Sequence, residues 1–142
     1  MKTHLNFATE DLASSVKFYS SLLDSKPTKL LPDYALFITE EPPLELALDA
    51  VGHARVNSHD HYGISVERVD ELEEAIARLK DAGIASSIER EETCCYAEQS
   101  KVWAVDPSGR RWEIYTVHQE TTERDLPDTQ CCTDAPCADD AA

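Results

Sequence analysis

A short pattern written twice constrains this chain more than any other feature. Residues 3–9 (THLNFAT) and 61–67 (HYGISVE) are apolar runs that each open near a histidine. A shift of 57 residues lays His4-Leu5-Asn6-Phe7 on His61-Tyr62-Gly63-Ile64. Each run leads into a stretch of helical period. In the first, Leu12, Val16, Tyr19 and Leu23 fall at helical spacing, and in the second Leu72, Ile76 and Leu79 do. Asp11 and Asp70 stand where N-caps are expected, and Gly83 stands where the second helix must stop. Strand-like segments follow each helix, 27–31, 34–39 and 44–48 in the first half and 85–90, 94–105 and 110–116 in the second. Asp106-Pro107-Ser108-Gly109 between the last two has turn chemistry. The reading is β-α-β-β-β twice, an α+β chain with modules 1–50 and 60–117 inside one domain, 1–117. Two such sheets, each with one apolar face, are expected to lie side by side and curl around a shared cleft.

Charge narrows the partners. Thirteen Lys and Arg against 28 Asp and Glu leave a formal net charge of −15 in 142 residues, a length that suits one domain. Such a field repels phosphate backbones and anionic lipid, so neither nucleic acid nor a membrane surface is expected. No apolar run approaches the ~18–20 residues of a membrane helix, and the N-terminus lacks the pattern of a secretory signal. A cytoplasmic protein is expected, its state as monomer or homodimer left open. Residues 118–142 carry Glu120, Glu123, Asp125, Asp128, Asp134, Asp139 and Asp140 against Arg124, with Leu126 their one large aliphatic. That tail is expected to be mobile, because it cannot bury enough to offset its ordering entropy.

Five cysteines, at 94, 95, 131, 132 and 137, form an odd set with two adjacent pairs. A secreted disulfide framework rarely has this form, so they read as free thiols for redox or metal chemistry. His4, His61 and Glu113 are the inward candidates. Trp112, Ile114 and Thr116 share one face of the last strand, while Glu113, Tyr115 and Val117 share the other. Two imidazoles and one carboxylate with positions left open suit non-haem Fe(II) oxygen chemistry.

The two modules, the opening His4-Leu5-Asn6-Phe7 with Glu10-Asp11-Leu12-Ala13-Ser14-Ser15 and Phe18-Tyr19-Ser20, and the closing Asp106-Pro107-Ser108-Gly109 with Trp112-Glu113 resemble the vicinal oxygen chelate (glyoxalase/dioxygenase) superfamily over residues 1–117. Thr93-Cys94-Cys95-Tyr96-Ala97, followed by Lys101-Val102-Trp103 and Asp106-Pro107, is similar more narrowly to organoarsenical carbon–arsenic lyases and their cadmium-induced relatives. The resemblance implies a ferrous dioxygenase that removes the organic group from trivalent arsenicals such as methylarsenite. It implies His4, His61 and Glu113 as Fe(II) ligands, Cys94 and Cys95 as the arsenic clamp, and dioxygen as co-substrate.

Physical chemistry supports the clamp. Trivalent arsenic is thiophilic, and methylarsenite has two exchangeable hydroxyls for two thiolates to replace. Adjacent strand residues point to opposite faces, so a bulge or loop is expected around 91–96. Two rivals remain. Glu45, in Pro43-Leu44-Glu45-Leu46-Ala47-Leu48, stands where Glu113 sits in the second module. A fourth ligand there would suit a glyoxalase I-like metal isomerase, whereas a one-residue change of register would turn Glu45 to solvent. With five thiols, the chain also fits a non-catalytic binder of cadmium or arsenite.

Overall fold

Strand β1 (Thr3–Thr9) leads into helix α1 (Leu12–Leu22), and the chain continues through β2 (Lys29–Leu31), β3 (Tyr34–Thr39) and β4 (Leu44–Ala50). The second half repeats the order with β5 (His61–Ser65), α2 (Val69–Asp81), β6 (Ala85–Cys94), β7 (Ala97–Val105) and β8 (Arg111–Glu120). This computed structural model describes residues 1–57, 59–94 and 97–120, with backbone alone for Thr93, Cys94 and Glu120. The chain divides into two compact units. The first is Met1–Asn57 with Asp106–Arg110, and the second holds the described residues of Ser58–Val105 and Arg111–Ala142.

In the first unit the strand order is β1-β4-β3-β2, with β1 parallel to β4 and the other pairs antiparallel. Alternation along β1, β4 and β3 puts Phe7, Leu46, Leu48, Ala35 and Phe37 on the face covered by α1, and all are buried. Tyr19 fills the middle of that layer, with ring centroids 6.3 Å from Phe7, 6.5 Å from Phe37 and 5.1 Å from Phe18. The buried stripe of α1 is Ser15, Phe18, Tyr19 and Leu22, so the helix is turned from the Leu12–Val16 face that spacing alone suggests. Ser15 belongs to the stripe because its hydroxyl is satisfied by Thr9 Oγ1 at 2.7 Å. Asp11 is the N-cap, accepting from Ser14 N–H at 2.9 Å and from the Ser14 hydroxyl at 2.6 Å.

The turn Asp106–Arg110 belongs to this first unit. Asp106 O accepts from Gly109 N–H at 2.9 Å, and Gly109 holds φ 94°. That left-handed backbone disfavours any side chain there. The buried Asp106 carboxylate accepts from Tyr19 Oη at 2.7 Å, from Arg110 Nη1 at 3.2 Å and from the backbone N–H groups of Ser108 and Arg110. Arg110 also donates to Ala8 O at 2.9 Å and lies 4.4 Å over the Phe7 ring.

In the second unit the order is β5-β8-β7-β6, again with the outer pair β5·β8 parallel. Leu72, Ala75, Ile76 and Leu79 of α2 are buried, as the helical spacing predicts. They cover a face that carries Trp112, Ile114, Val102 and Ala104, with Tyr62 stacked on Trp112 at 5.1 Å. Each large aliphatic in that layer contributes about 1.5–3 kcal/mol by leaving water. The N-cap differs from expectation. It is Arg68, and Asp70 lies in the first turn, where it pairs with the Arg68 guanidinium. The orphan N–H groups of Glu67 and Arg68 are taken instead by the Glu71 carboxylate, at 3.2 and 3.1 Å. Gly83 ends α2 with φ 70°, as expected of a C-terminal stop.

Strand β8 runs to Glu120, beyond the expected end of the body at Val117, because β7 has N–H and C=O groups to satisfy there. Glu98 pairs with Gln119 and Ala97 with Glu120. The remainder of the acidic tail, with Cys131, Cys132 and Cys137, lies outside the described residues.

Candidate functional site

Register decides which side chains meet. In the second unit, β5 and β8 pair His61 with Arg111, Gly63 with Glu113 and Ser65 with Tyr115. Strand β7 sets Trp103 opposite Glu113 and Lys101 opposite Tyr115, and β6 sets Ser87 opposite Trp103 and Glu89 opposite Lys101. Since alternate residues share a face, His61, Glu113, Lys101, Trp103 and Glu89 all stand on the side away from α2.

That side is polar, and much of it is buried. Glu113 is 8% exposed, Lys101 3% and Glu89 2%. His61 Nε2 lies 3.7 Å from Glu113 Oε1, too far for a good hydrogen bond. Glu113 Oε2 accepts from Lys101 Nζ at 2.9 Å. Trp103 Nε1 donates to Glu89 Oε1 at 2.8 Å. The Trp103 ring meets the edge of His61 at 5.4 Å and has the Arg111 guanidinium 4.6 Å from its centroid. A Cβ at Gly63 would stand 3.0 Å from Tyr115 Cε1 and 3.2 Å from Glu113 Oε1, so glycine leaves the room that the carboxylate uses.

The first unit holds the other histidine. His4 is directly opposite Glu45, on the face away from α1, and its Nδ1 lies 3.6 Å from Glu45 Oε2. No change of register turns Glu45 aside. The equivalence of Glu45 with Glu113, however, does not hold. The shift that places His4 on His61 makes Arg111 the counterpart of Glu45, because these are the register partners of the two histidines. The counterpart of Glu113, partner of Gly63, is Ala47, partner of Asn6. The two acids sit two residues apart along equivalent strands, an offset that a sequence shift cannot show.

The bulge expected around 91–96 has a described part. Pairing passes from Glu89↔Lys101 to Glu92↔Gln99, so Arg90 and Glu91 together oppose Ser100. Glu91 has φ 52°, and its N–H donates to Ser100 Oγ at 2.9 Å. The buried Ser100 hydroxyl is also 2.8 Å from His118 Nε2. Three residues on, Cys94 pairs with Ala97, while Cys95 and Tyr96 lie outside the described residues. Spacing gave no sign of Lys101 beside Glu113. Its signal was a charged residue amid Val102, Trp103 and Ala104, on the face that alternation gives Trp103.

The family model described as the Glyoxalase/Bleomycin resistance protein/Dioxygenase superfamily matches residues 3–114. The chain belongs to that superfamily. Among solved glyoxalase/bleomycin resistance protein/dioxygenase structures, one from Alicyclobacillus acidocaldarius aligns with a TM-score of 0.68 at 19% identity, covering 84% of this chain and 92% of that one. Among curated members, the trivalent organoarsenical cleaving enzyme of Thermomonospora curvata is 38% identical over 133 residues, 93% of this chain and 88% of the relative. The cadmium-induced protein CadI of Mycobacterium bovis is 38% identical over 116 residues, 82% of this chain and 76% of the relative. The probable trivalent organoarsenical cleaving enzyme of Bacillus subtilis is 30% identical, covering 94% and 91%.

Within this glyoxalase-superfamily chain, each unit holds its own imidazole beside a carboxylate on a parallel strand pair: His4 with Glu45 in the first, and His61 with Glu113 in the second. No group of three or more His, Cys, Asp or Glu side chains suited to a metal ion occurs among the described residues. No helix is long and apolar enough to cross a membrane among the described residues.

Proposed function

We propose that this protein is an enzyme of organoarsenical detoxification, an Fe(II)-dependent dioxygenase that cleaves the carbon–arsenic bond of trivalent organoarsenicals. His4, His61 and Glu113 are its metal ligands, and Cys94 and Cys95 its substrate clamp. The observation that carries this reading is the 38% identity, over nearly the whole of both chains, to a protein named a trivalent organoarsenical cleaving enzyme.

The donor chemistry fits a divalent transition metal. Two ligand atoms on one ion, each at about 2.0–2.2 Å, stand about 3–3.6 Å apart, and His61 Nε2 and Glu113 Oε1 come near that spacing. When bound, the iron would supply the activation of dioxygen. The chain's own residues do the rest. Two thiols condense with the two arsenic hydroxyls of methylarsenite, release two waters and leave the methyl group facing outward. Overall, methylarsenite and dioxygen give arsenite and formaldehyde. The atoms balance, the four electrons taken from the carbon–arsenic bond and methyl carbon reduce one dioxygen, and no further reductant is needed.

The test is turnover by thiol variants. Cys94→Ser and Cys95→Ser should each release no arsenite from methylarsenite while keeping the parent's metal content. Release at the parent's rate by both variants would remove the clamp from this account.

A second reading has one observation in its favour. Glu45 lies beside His4, and a glyoxalase I-like isomerase would use it as a fourth donor with His4, His61 and Glu113. Against it, Glu45 approaches Nδ1, the nitrogen that a metal-bound imidazole commonly turns to an orienting carboxylate. Ala47, the counterpart of Glu113, offers no donor. Isomerisation of a hemithioacetal by the metal-loaded protein, abolished in Glu45→Gln, would favour this alternative.

A further inference from the structure

We propose that Lys101 is a positioning residue that restricts Glu113 to a single ligand oxygen. The inference rests on the reading of Glu113 as a metal ligand. Lys101 Nζ holds Oε2 at 2.9 Å, and Oε1 is the oxygen turned to His61. Both side chains are nearly inaccessible, 4% and 11% exposed, so water has little opportunity to replace the ammonium. The grip comes from a neighbouring strand. Lys101 stands opposite Tyr115 on β7, two residues from the Trp103 that faces Glu113, so the long side chain crosses the sheet face diagonally. Its Nζ is 5.4 Å from the Trp103 centroid, and Trp103 is itself fixed by Glu89.

A carboxylate free to rotate can chelate a metal through both oxygens and fill a coordination position. Dioxygen chemistry at a site with two histidines and one carboxylate depends on positions left open. A cation fixed on Oε2 keeps that oxygen away from the metal without removing the charge of the ligand. Gly63 makes the arrangement possible on the other side, because a Cβ there would press on Oε1 and Tyr115. Lys101 therefore sets the number of open positions without touching the metal or the substrate.

The experiment compares Co(II)-loaded parent, Lys101→Met and Lys101→Arg by visible absorption, with circular dichroism of each apo-protein to establish folding. The expected result is a weaker d–d band in Lys101→Met, as follows when coordination number rises, with the parent spectrum restored in Lys101→Arg. The oxygen dependence of turnover should shift with it, raising the KM for dioxygen more than it lowers kcat. Should Lys101→Met not fold, Lys101→Arg and Lys101→Gln carry the comparison, and the band must then weaken in the glutamine variant alone. A d–d band identical to the parent's in the folded neutral variant overturns the proposal and leaves the metal reading intact. A parent whose Co(II) spectrum is unchanged by His61→Ala and Glu113→Gln overturns the metal reading itself, and this proposal with it.

Discussion

Gly63 and Glu113 are register partners across the parallel pair β5·β8, and the space where a Gly63 side chain would begin lies 3.2 Å from Glu113 Oε1. The glycine is thus set by an approach of side chains rather than by backbone conformation. Gly63→Ala should keep the fold, costing about 1–3 kcal/mol as overpacking does. It should lower kcat/KM for the arsenical by displacing the carboxylate or the Tyr115 ring. Chemical denaturation and steady-state kinetics on the same preparation separate the two effects. Full activity in Gly63→Ala would show that Glu113 does not depend on that space.

The core of the first unit supplies a stability prediction. Tyr19 Oη donates to the buried Asp106 carboxylate at 2.7 Å, and Asp106 is further held by Arg110 and two backbone N–H groups. Tyr19→Phe preserves the ring contacts and deletes that one bond. Its cost should be about 1.5–3 kcal/mol, typical of hydrogen bonds to charged groups. Urea denaturation should show a lower midpoint with an unchanged m-value. A loss below about 0.5 kcal/mol would mean that Asp106 is satisfied without Tyr19.

Acid should weaken the cap of α1. The Ser14 hydroxyl, and then the Ser14 backbone N–H, hold the Asp11 carboxyl below its ordinary value of 3.8. Because the folded state binds this proton less readily than the unfolded chain, the stabilisation is complete above the ordinary carboxylate range. It is lost as pH falls through the lowered folded-state value. The Tm difference between the parent and Asp11→Ala should therefore be constant above about pH 5 and narrow in more acidic buffer. A difference that stays constant into strong acid would assign the cap to a neutral hydrogen bond.

Much of this architecture is legible in the sequence, and the parts that are not share a cause. The repeated His-led runs, the period of α2, the Gly83 stop and the Asp106–Gly109 turn all depend on local chemistry, and the structure has each of them. Arg68 as N-cap escaped because its own side chain accepts no helix N–H, while the Glu71 carboxylate, three residues on, reaches back to the Arg68 N–H. The equivalence of Glu45 with Glu113 failed because parallel strands joined by long connections carry no local mark of register. The Lys101–Glu113 pair was hidden for the same reason, since alternation gives the face of Lys101 but only the β7·β8 register gives its partner. A register shift lies at Arg90–Glu91, at the upstream edge of the stretch expected, while Cys95 and Tyr96, for which the bulge or loop is expected, lie outside the described residues.

The central claim is oxidative cleavage of the carbon–arsenic bond, and the most direct test is a mass balance. The Fe(II)-reconstituted protein would be given methylarsenite and thiol in sealed vessels, with dioxygen either supplied at known amount or excluded. Arsenic species would be separated by chromatography, and formaldehyde and dioxygen quantified alongside. The account predicts arsenite and formaldehyde in equal amounts, each matched by one dioxygen consumed, and neither product without dioxygen. Arsenite released in the absence of dioxygen, or without the one-carbon product, would contradict it.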